Sequence, residues 1–224
     1  YANASSVHIL GQRSAAALFS ARQQLAQLLN CAPKELFFTS GGSEADNQAL
    51  ISAAAIGRQQ GKRHIISTAM EHHAILHTLE ALEEQGFTVT LLRPQKDGIV
   101  TAAQVAATLT DETCLVSVMY ANNETGAIQP INEIGALCRQ RGVLFHTDAV
   151  QAAGHIDIDV QRDNIDMLSL SAHKFHGPKG VGLLFAKSSI QLTSLIRGGG
   201  QERGKRAGTE NLPGIVGLAA AFKD

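Results

Sequence analysis

Lys174 stands in the stretch Leu170-Ser171-Ala172-His173-Lys174-Phe175-His176-Gly177-Pro178-Lys179-Gly180, between two histidines and ahead of a glycine–proline break. With Ser171 and His173 as its other polar neighbours, a lysine there is expected to be desolvated. Desolvation disfavours the ammonium and makes the amine a nucleophile able to form a Schiff base. A solvated surface lysine is the plain alternative, and Lys179 is the competing lysine in the same loop, expected to point away because it lies beyond Gly177-Pro178. Asp148 follows the apolar run Val143-Leu144-Phe145 and precedes Ala149-Val150-Gln151. A carboxylate at that place can bind a cationic ring nitrogen or simply cap a helix. Gly41-Gly42-Ser43 offers unobstructed backbone N–H groups and a hydroxyl suited to a phosphate, or else a tight turn with Ser43 as N-cap. His73 and His77 form an i, i+4 pair beside His72, but no Glu lies between them as in H-E-x-x-H, and no metal is expected.

These residues need elements to hold them. Leu18, Leu25, Leu28 and Leu29 recur at helical spacing, and Pro33 precedes a β-like run, Leu36 to Thr39. The glycine loop then opens a helix from Glu44 to Arg58. The alternation continues with strand His64 to Ser67, helix His73 to Gln85 closed by Gly86, strand Val89 to Leu92 and a turn at Lys96-Asp97-Gly98. Thr101 with Gln104 makes a capping box for the next helix. Strand Cys114 to Met119, loop Asn122 to Gly126, helix Ile131 to Arg141 closed by Gly142, and strand Val143 to Thr147 follow. Asp166 to Ser169 and Val181 to Ala186 are further strands, and the loop between them is too short for a helical crossover, so they pair antiparallel. A last helix runs from Ile215 to Phe222. The expected fold is α/β: a mixed, mostly parallel sheet with helices on both faces, in one domain spanning 1–224. In such sheets ligands gather beyond the carboxyl ends of the strands, where the polar residues above fall.

An apolar fraction of 44% in 224 residues is enough for one substantial core. With 19 Lys plus Arg against 20 Asp plus Glu, there is no broad charge for nucleic acid or an acidic membrane surface. No apolar stretch reaches the ~20 residues of a membrane span. Cys31, Cys114 and Cys138 are too few and too widely spaced for a disulfide framework, which favours a reducing, cytoplasmic compartment. The chain starts at Tyr1 and stops inside a helix at Asp224, and both ends read as trimmed.

Six segments occur in order: Thr39-Ser40-Gly41-Gly42-Ser43-Glu44, Glu71-His72-His73-Ala74, Asn122-Asn123-Glu124-Thr125-Gly126, His146-Thr147-Asp148-Ala149-Val150-Gln151, the Ser171 to Gly180 loop, and Arg206-Ala207-Gly208-Thr209-Glu210-Asn211. Together they resemble the NifS/IscS-like cysteine desulfurases, fold-type I pyridoxal-phosphate enzymes. The resemblance implies that Lys174 attaches pyridoxal phosphate, that Asp148 pairs with its ring nitrogen, and that His72 lies over the ring and moves substrate protons. It implies Asn123 and Gln151 near the phenolic oxygen, and Gly42, Ser43, Ser171 and His173 at the phosphate. Thr209 would reach the phosphate of a neighbouring subunit, making a homodimer. The family commonly has Thr where this chain has Ser43. The implied activity turns L-cysteine into L-alanine and hands the sulfur, as a persulfide, to an acceptor protein for iron–sulfur or thiocofactor assembly. The persulfide-forming cysteine and the substrate-carboxylate arginine would belong to a C-terminal small domain beyond Asp224. A selenocysteine or cystine lyase, or a non-catalytic scaffold, are the alternatives.

Overall fold

The computed structural model describes residues 2–223; Tyr1 and Asp224, on which the domain limits 1 and 224 rest, lie outside the described residues. The chain runs α1 (Ile9–Leu28), β1 (Leu36–Thr39), α2 (Gly42–Gln59), β2 (His64–Thr68), α3 (His73–Glu84), β3 (Thr88–Leu92), α4 (Ala102–Thr108), β4 (Thr113–Ser117), α5 (Ile131–Arg141), β5 (Leu144–Asp148), β6 (Met167–Ser171), β7 (Gly182–Ala186) and α6 (Leu212–Lys223). The seven strands form one sheet in the order β1-β7-β6-β5-β4-β2-β3. β7 is antiparallel to both of its neighbours, and every other pair is parallel. All strands except β7 therefore end at the same edge. The glycine loop, the His72 loop, the Asn122 to Gly126 loop, Asp148 and Lys174 all lie along that edge.

The mixed sheet expected from the sequence is present, and helices cover both faces. One apolar cluster gathers Leu25 of α1, Val105 of α4, Ile134 of α5 and Leu218 of α6 against Val116, Phe145, Leu168 and Phe185. The other gathers Ala45, Ala49 and Ala53 of α2 with Ile75 and Leu79 of α3 against Ile65, Leu115 and Met167. Strand side chains alternate between faces, so the residues facing α2 read Ile65 then Ser67, Leu115 then Ser117, Leu144 then His146 then Asp148, and Met167 then Ser169 then Ser171. This face is apolar at the start of each strand and polar at its end. Burial of that polar end is the physical basis of the site.

Local signals hold where they are chemical. Thr101 and Gln104 make the reciprocal capping box, and Gly142 closes α5 in the left-handed region at φ 63°. Two cap expectations are corrected. Gly41, not Ser43, is the N-cap of α2, and Ser43 sits in the exposed first turn. Asp148 is the last residue of β5 and accepts a hydrogen bond from the Val150 N–H at 2.9 Å, so it caps a turn rather than a helix. β4 stops at Ser117, short of the expected Met119, because the chain there begins to turn while Val118 and Tyr120 still donate to the backbone of β5. The last helix starts at Leu212, earlier than expected, with Pro213 in its first turn where no N–H partner is needed.

Candidate active site

The glycine loop leaves β1 and enters α2 across the ends of β6 and β7. A Cβ on Gly182 would lie 2.7 Å from the Cα of Gly41, and one on Gly42 would lie 2.7 Å from a methyl of Val150. Glycine at both positions lets the start of α2 close over the turn that follows Asp148. Beside it lies a cleft of about 420 Å³ lined by Ser40, Gly41, Gly42, Ser43, Glu44, Ser171, His173, Lys179 and Gly180. Backbone N–H groups at the start of α2, three serine hydroxyls and a lysine make this a place for an anion. Glu44 would oppose an anion, but Arg206 clasps it at 2.9 and 3.3 Å and the Ser40 N–H donates to it at 2.8 Å. Burial raises the Glu44 carboxyl, yet these bonds outweigh it and hold the group below its ordinary range.

Asp148 is buried, 5% exposed, and its Val150 bond is the carboxyl's one hydrogen bond among the described residues. Burial lifts its pKa above the ordinary carboxylate value, and the Val150 bond with the electrostatic influence of His72 and Lys174 offsets only part of that rise. His72 and Lys174 are therefore both within electrostatic reach of this carboxyl. His72 is the N-cap of α3, with Nδ1 accepting from the Ala74 N–H at 3.1 Å. In the neutral ring that bond places the proton on Nε2, which has no partner among the described residues and sits on an exposed side chain. Asn123 is exposed at the tip of its loop, and the buried neighbour Asn122 builds that tip. The Asn122 side-chain oxygen accepts from the N–H groups of Glu124 and Thr125, and its amide donates to the Met70 carbonyl at 3.1 Å. Those bonds tie the Asn123 loop to the loop of His72. Gln151 is half-buried in the turn after Asp148, and Thr209 is exposed near Arg206.

Two expectations about the lysines are corrected. Lys174 is on a 3-10 turn, Ala172–Phe175, and is exposed rather than desolvated, because the turn directs Phe175 inward and leaves its neighbours outside. Lys179 does not point away, since it lines the same cleft as Ser43, Ser171 and His173. Of the two, Lys174 is the one whose charge acts on Asp148. His73 and His77 stand with ring centroids 5.2 Å apart, and among the described residues no three His, Cys, Asp or Glu side chains are placed to hold a metal.

Some residues near the site were not singled out from the sequence. Asp46 of α2, Glu71 and His146 are buried beneath Asp148. Asp46 stands beside Ala45, Ala49 and Ala53 on the helix face turned to the sheet, and an acid within that small-residue stripe was the available signal. Glu202 is buried in a bidentate pair with Arg22 at 2.6 and 3.0 Å and accepts from the Phe38 N–H at 3.2 Å. Glu202 and Arg203 both have positive φ, and the ion pair anchors the strand of chain leading to Arg206 and Thr209.

The sequence model of the family described as "Aminotransferase class-V" matches residues 1–223. The chain belongs to this family. Among class-V relatives, it is 53% identical over its full length to "Cysteine desulfurase IscS" of Clostridium botulinum and spans 56% of that protein. It is 51% identical to "Putative cysteine desulfurase IscS 1" of Bacillus subtilis, spanning 59%. A solved "NifS-like protein" superposes with a TM-score of 0.96 at 40% identity, over all of this chain and 61% of that one. The chain thus spans less than two thirds of the length of these class-V relatives.

Proposed function

We propose that this chain is the pyridoxal-phosphate-binding domain of a cysteine desulfurase. Asp148 carries the reading: it is a buried carboxylate at the crevice end of a central parallel strand, flanked by His72 and Lys174 and adjoining an anion cleft. The relatives named as cysteine desulfurases support it. When bound, pyridoxal phosphate supplies an electron sink for the substrate's α-carbon.

The residues fit that cofactor. The phosphate suits Gly42, Ser43, Ser171 and His173 at the start of α2, where Glu44 is already neutralised by Arg206. Asp148 has a carboxylate oxygen without a protein partner among the described residues, suited to a protonated ring nitrogen. Lys174 is the proposed attachment point, and Asn123 and Gln151 would flank the ring's phenolic oxygen. His72, with Nε2 free, would hold or release a substrate proton. In the whole enzyme, L-cysteine and an enzyme thiol would become L-alanine and an enzyme persulfide: the C–S bond breaks, an S–S bond forms, and carbon gains the proton.

The thiol is not among Cys31, Cys114 and Cys138. Burial pushes Cys114 up to about 11 and Cys138 to about 12, and burial with Glu35 pushes Cys31 to about 12. We place that thiol and a carboxylate-binding arginine in a further C-terminal domain. The site would be completed by Thr209 across a homodimer, with a cytoplasmic sulfur-acceptor protein downstream. Among the described residues no helix is long and apolar enough to cross a membrane.

Reductive trapping with borohydride on the cofactor-loaded chain, followed by peptide mapping, tests the reading. A phosphopyridoxyl group on Lys174 is expected. A label on Lys179 refutes the lysine assignment, and failure to bind pyridoxal phosphate refutes the function.

A further inference from the structure

Beneath Asp148 lies a polar layer enclosed between α2 and the sheet. Ser117 Oγ meets His146 Nδ1 at 2.9 Å, and His146 Nε2 meets Ser169 Oγ at 3.0 Å. Above this chain the Asp46 carboxyl descends from α2, 1% exposed, within reach of the Ser169 hydroxyl. Its Oδ1 lies 3.7 Å from His146 Nε2, too far for a hydrogen bond, and has no partner among the described residues. The groups facing Asp46 are Asp148 and His146 from β5, Glu71 from the loop after β2, and the uncharged Ser169 from β6. Among the described residues no lysine or arginine enters the layer. His146 supplies no cation either, because burial lowers it to about 3 and leaves the ring neutral. The 3.7 Å contact is therefore not an ion pair.

Two facing carboxylates in such a layer cannot both be ionised, since each is desolvated and repels the other. Location decides which one keeps a proton. Burial raises Asp148 as well, but Asp148 stands at the mouth, where the Val150 N–H, His72 and Lys174 favour its anion. Asp46 lies deeper, with one oxygen unpartnered and two acids as neighbours. We propose that Asp46 is a positioning residue for Asp148: it is held as a neutral carboxylic acid among His146, Ser169 and Glu71, so that Asp148 is the one anion left to meet a cationic ring nitrogen. Glu71 supports this arrangement. Its Oε1 accepts from the Thr68 hydroxyl at 2.8 Å and the Met119 N–H at 2.9 Å, while the buried Oε2 lacks a partner and suits the O–H of a neutral acid. Burial keeps Glu71 protonated up to about 8. The inference rests on the proposed cofactor function for its purpose, but the protonation pattern belongs to the cofactor-free chain.

Carbon-13 NMR of the aspartate carboxyls in the cofactor-free chain, assigned through bonds and titrated across neutral pH, tests it site by site; coupled carboxyls require such resolution because they release protons as a pair. At pH near 7 the Asp46 carboxyl should show the shift of a protonated acid and Asp148 that of a carboxylate. In Asp46→Asn, one neutral group replaces another, so the proton affinity of Asp148 should change less than about threefold. An ionised Asp46 beside a protonated Asp148 in the wild-type chain overturns the proposal, and that measurement needs no variant to fold. A fall of about tenfold or more in the proton affinity of Asp148 in Asp46→Asn also overturns it, because that is the effect of removing a neighbouring anion. If the chain shows the expected titration but never takes up pyridoxal phosphate, the function fails and the protonation pattern stands. A loaded chain should show one further sign: the pH midpoint of the cofactor's visible band should be the same in wild type and Asp46→Asn.

Discussion

Replacing Glu71 by Gln should change how the stability of this chain depends on pH. The Glu71 carboxyl is 6% exposed and is raised from 4.5 to about 8, chiefly by burial, against the opposing bonds from Met119 and Thr68 and with Asp148 adding to the rise. Between those two values the folded chain keeps a proton that the unfolded chain has lost, so folding takes up a proton. Stability from this group is fully present below about 4.5 and falls as pH rises through about 8. The gap, about 8 minus 4.5, is about 3.5 units. At about 1.4 kcal/mol per unit, the ceiling is about 5 kcal/mol. A domain of this kind is stable by only about 5–15 kcal/mol, so the effect is measurable by urea denaturation followed by circular dichroism at several pH values. Gln is the suited replacement: its amide oxygen can accept from Thr68 and Met119 as Oε1 does, and its NH₂ takes the place of the unpartnered Oε2. Wild-type stability should therefore fall relative to Glu71→Gln by about 2–5 kcal/mol between mildly acidic and mildly alkaline pH, then level off. Asp46 shifts in the same direction and is coupled to Glu71, so the difference between the two proteins reports Glu71 together with its effect on Asp46. Parallel stability curves would refute the reasoning.

Asp148→Asn in the full-length enzyme should lower kcat about a hundredfold or more while leaving the urea midpoint near wild type, because the lost carboxylate acts on the ring nitrogen; wild-type turnover would reduce Asp148 to the turn cap seen with Val150. Arg22→Ala should destabilise the chain by about 3–5 kcal/mol in urea, because it strands the Glu202 carboxylate, whose side chain is 2% exposed; a loss under about 1 kcal/mol would show that solvent enters to replace the partner. The three cysteines should react with a thiol reagent far more slowly in the folded than in the urea-unfolded chain at pH near 8, because a thiol pushed to about 11 is thiolate only about one part in a thousand, and one pushed to about 12 only about one part in ten thousand. Rapid native labelling of Cys114 or Cys138 would contradict their burial.

Alternating strands and helices, the Thr101–Gln104 box and the Gly142 stop were legible in the sequence because each depends on neighbours a few residues away. The short link between β6 and β7 likewise dictated their antiparallel pairing. The residues named for the candidate site fall along one edge because they follow strand ends, and parallel strands bring such ends together. What the sequence could not specify is which distant groups share a dielectric environment. Lys174 was expected to be desolvated, yet the turn that buries Phe175 leaves it exposed. Lys179 returns to the anion cleft because β7 starts beside the glycine loop. Glu202 meets Arg22 across 180 positions of chain. Asp46, Glu71 and Asp148 come from a helix, a loop and a strand, and their charges conflict only once α2 is laid on the sheet. Residue type and local spacing thus determined the elements and the chemistry on offer; only the tertiary structure decided the protonation of those groups, because burial and through-space repulsion depend on who is near in space, not in sequence.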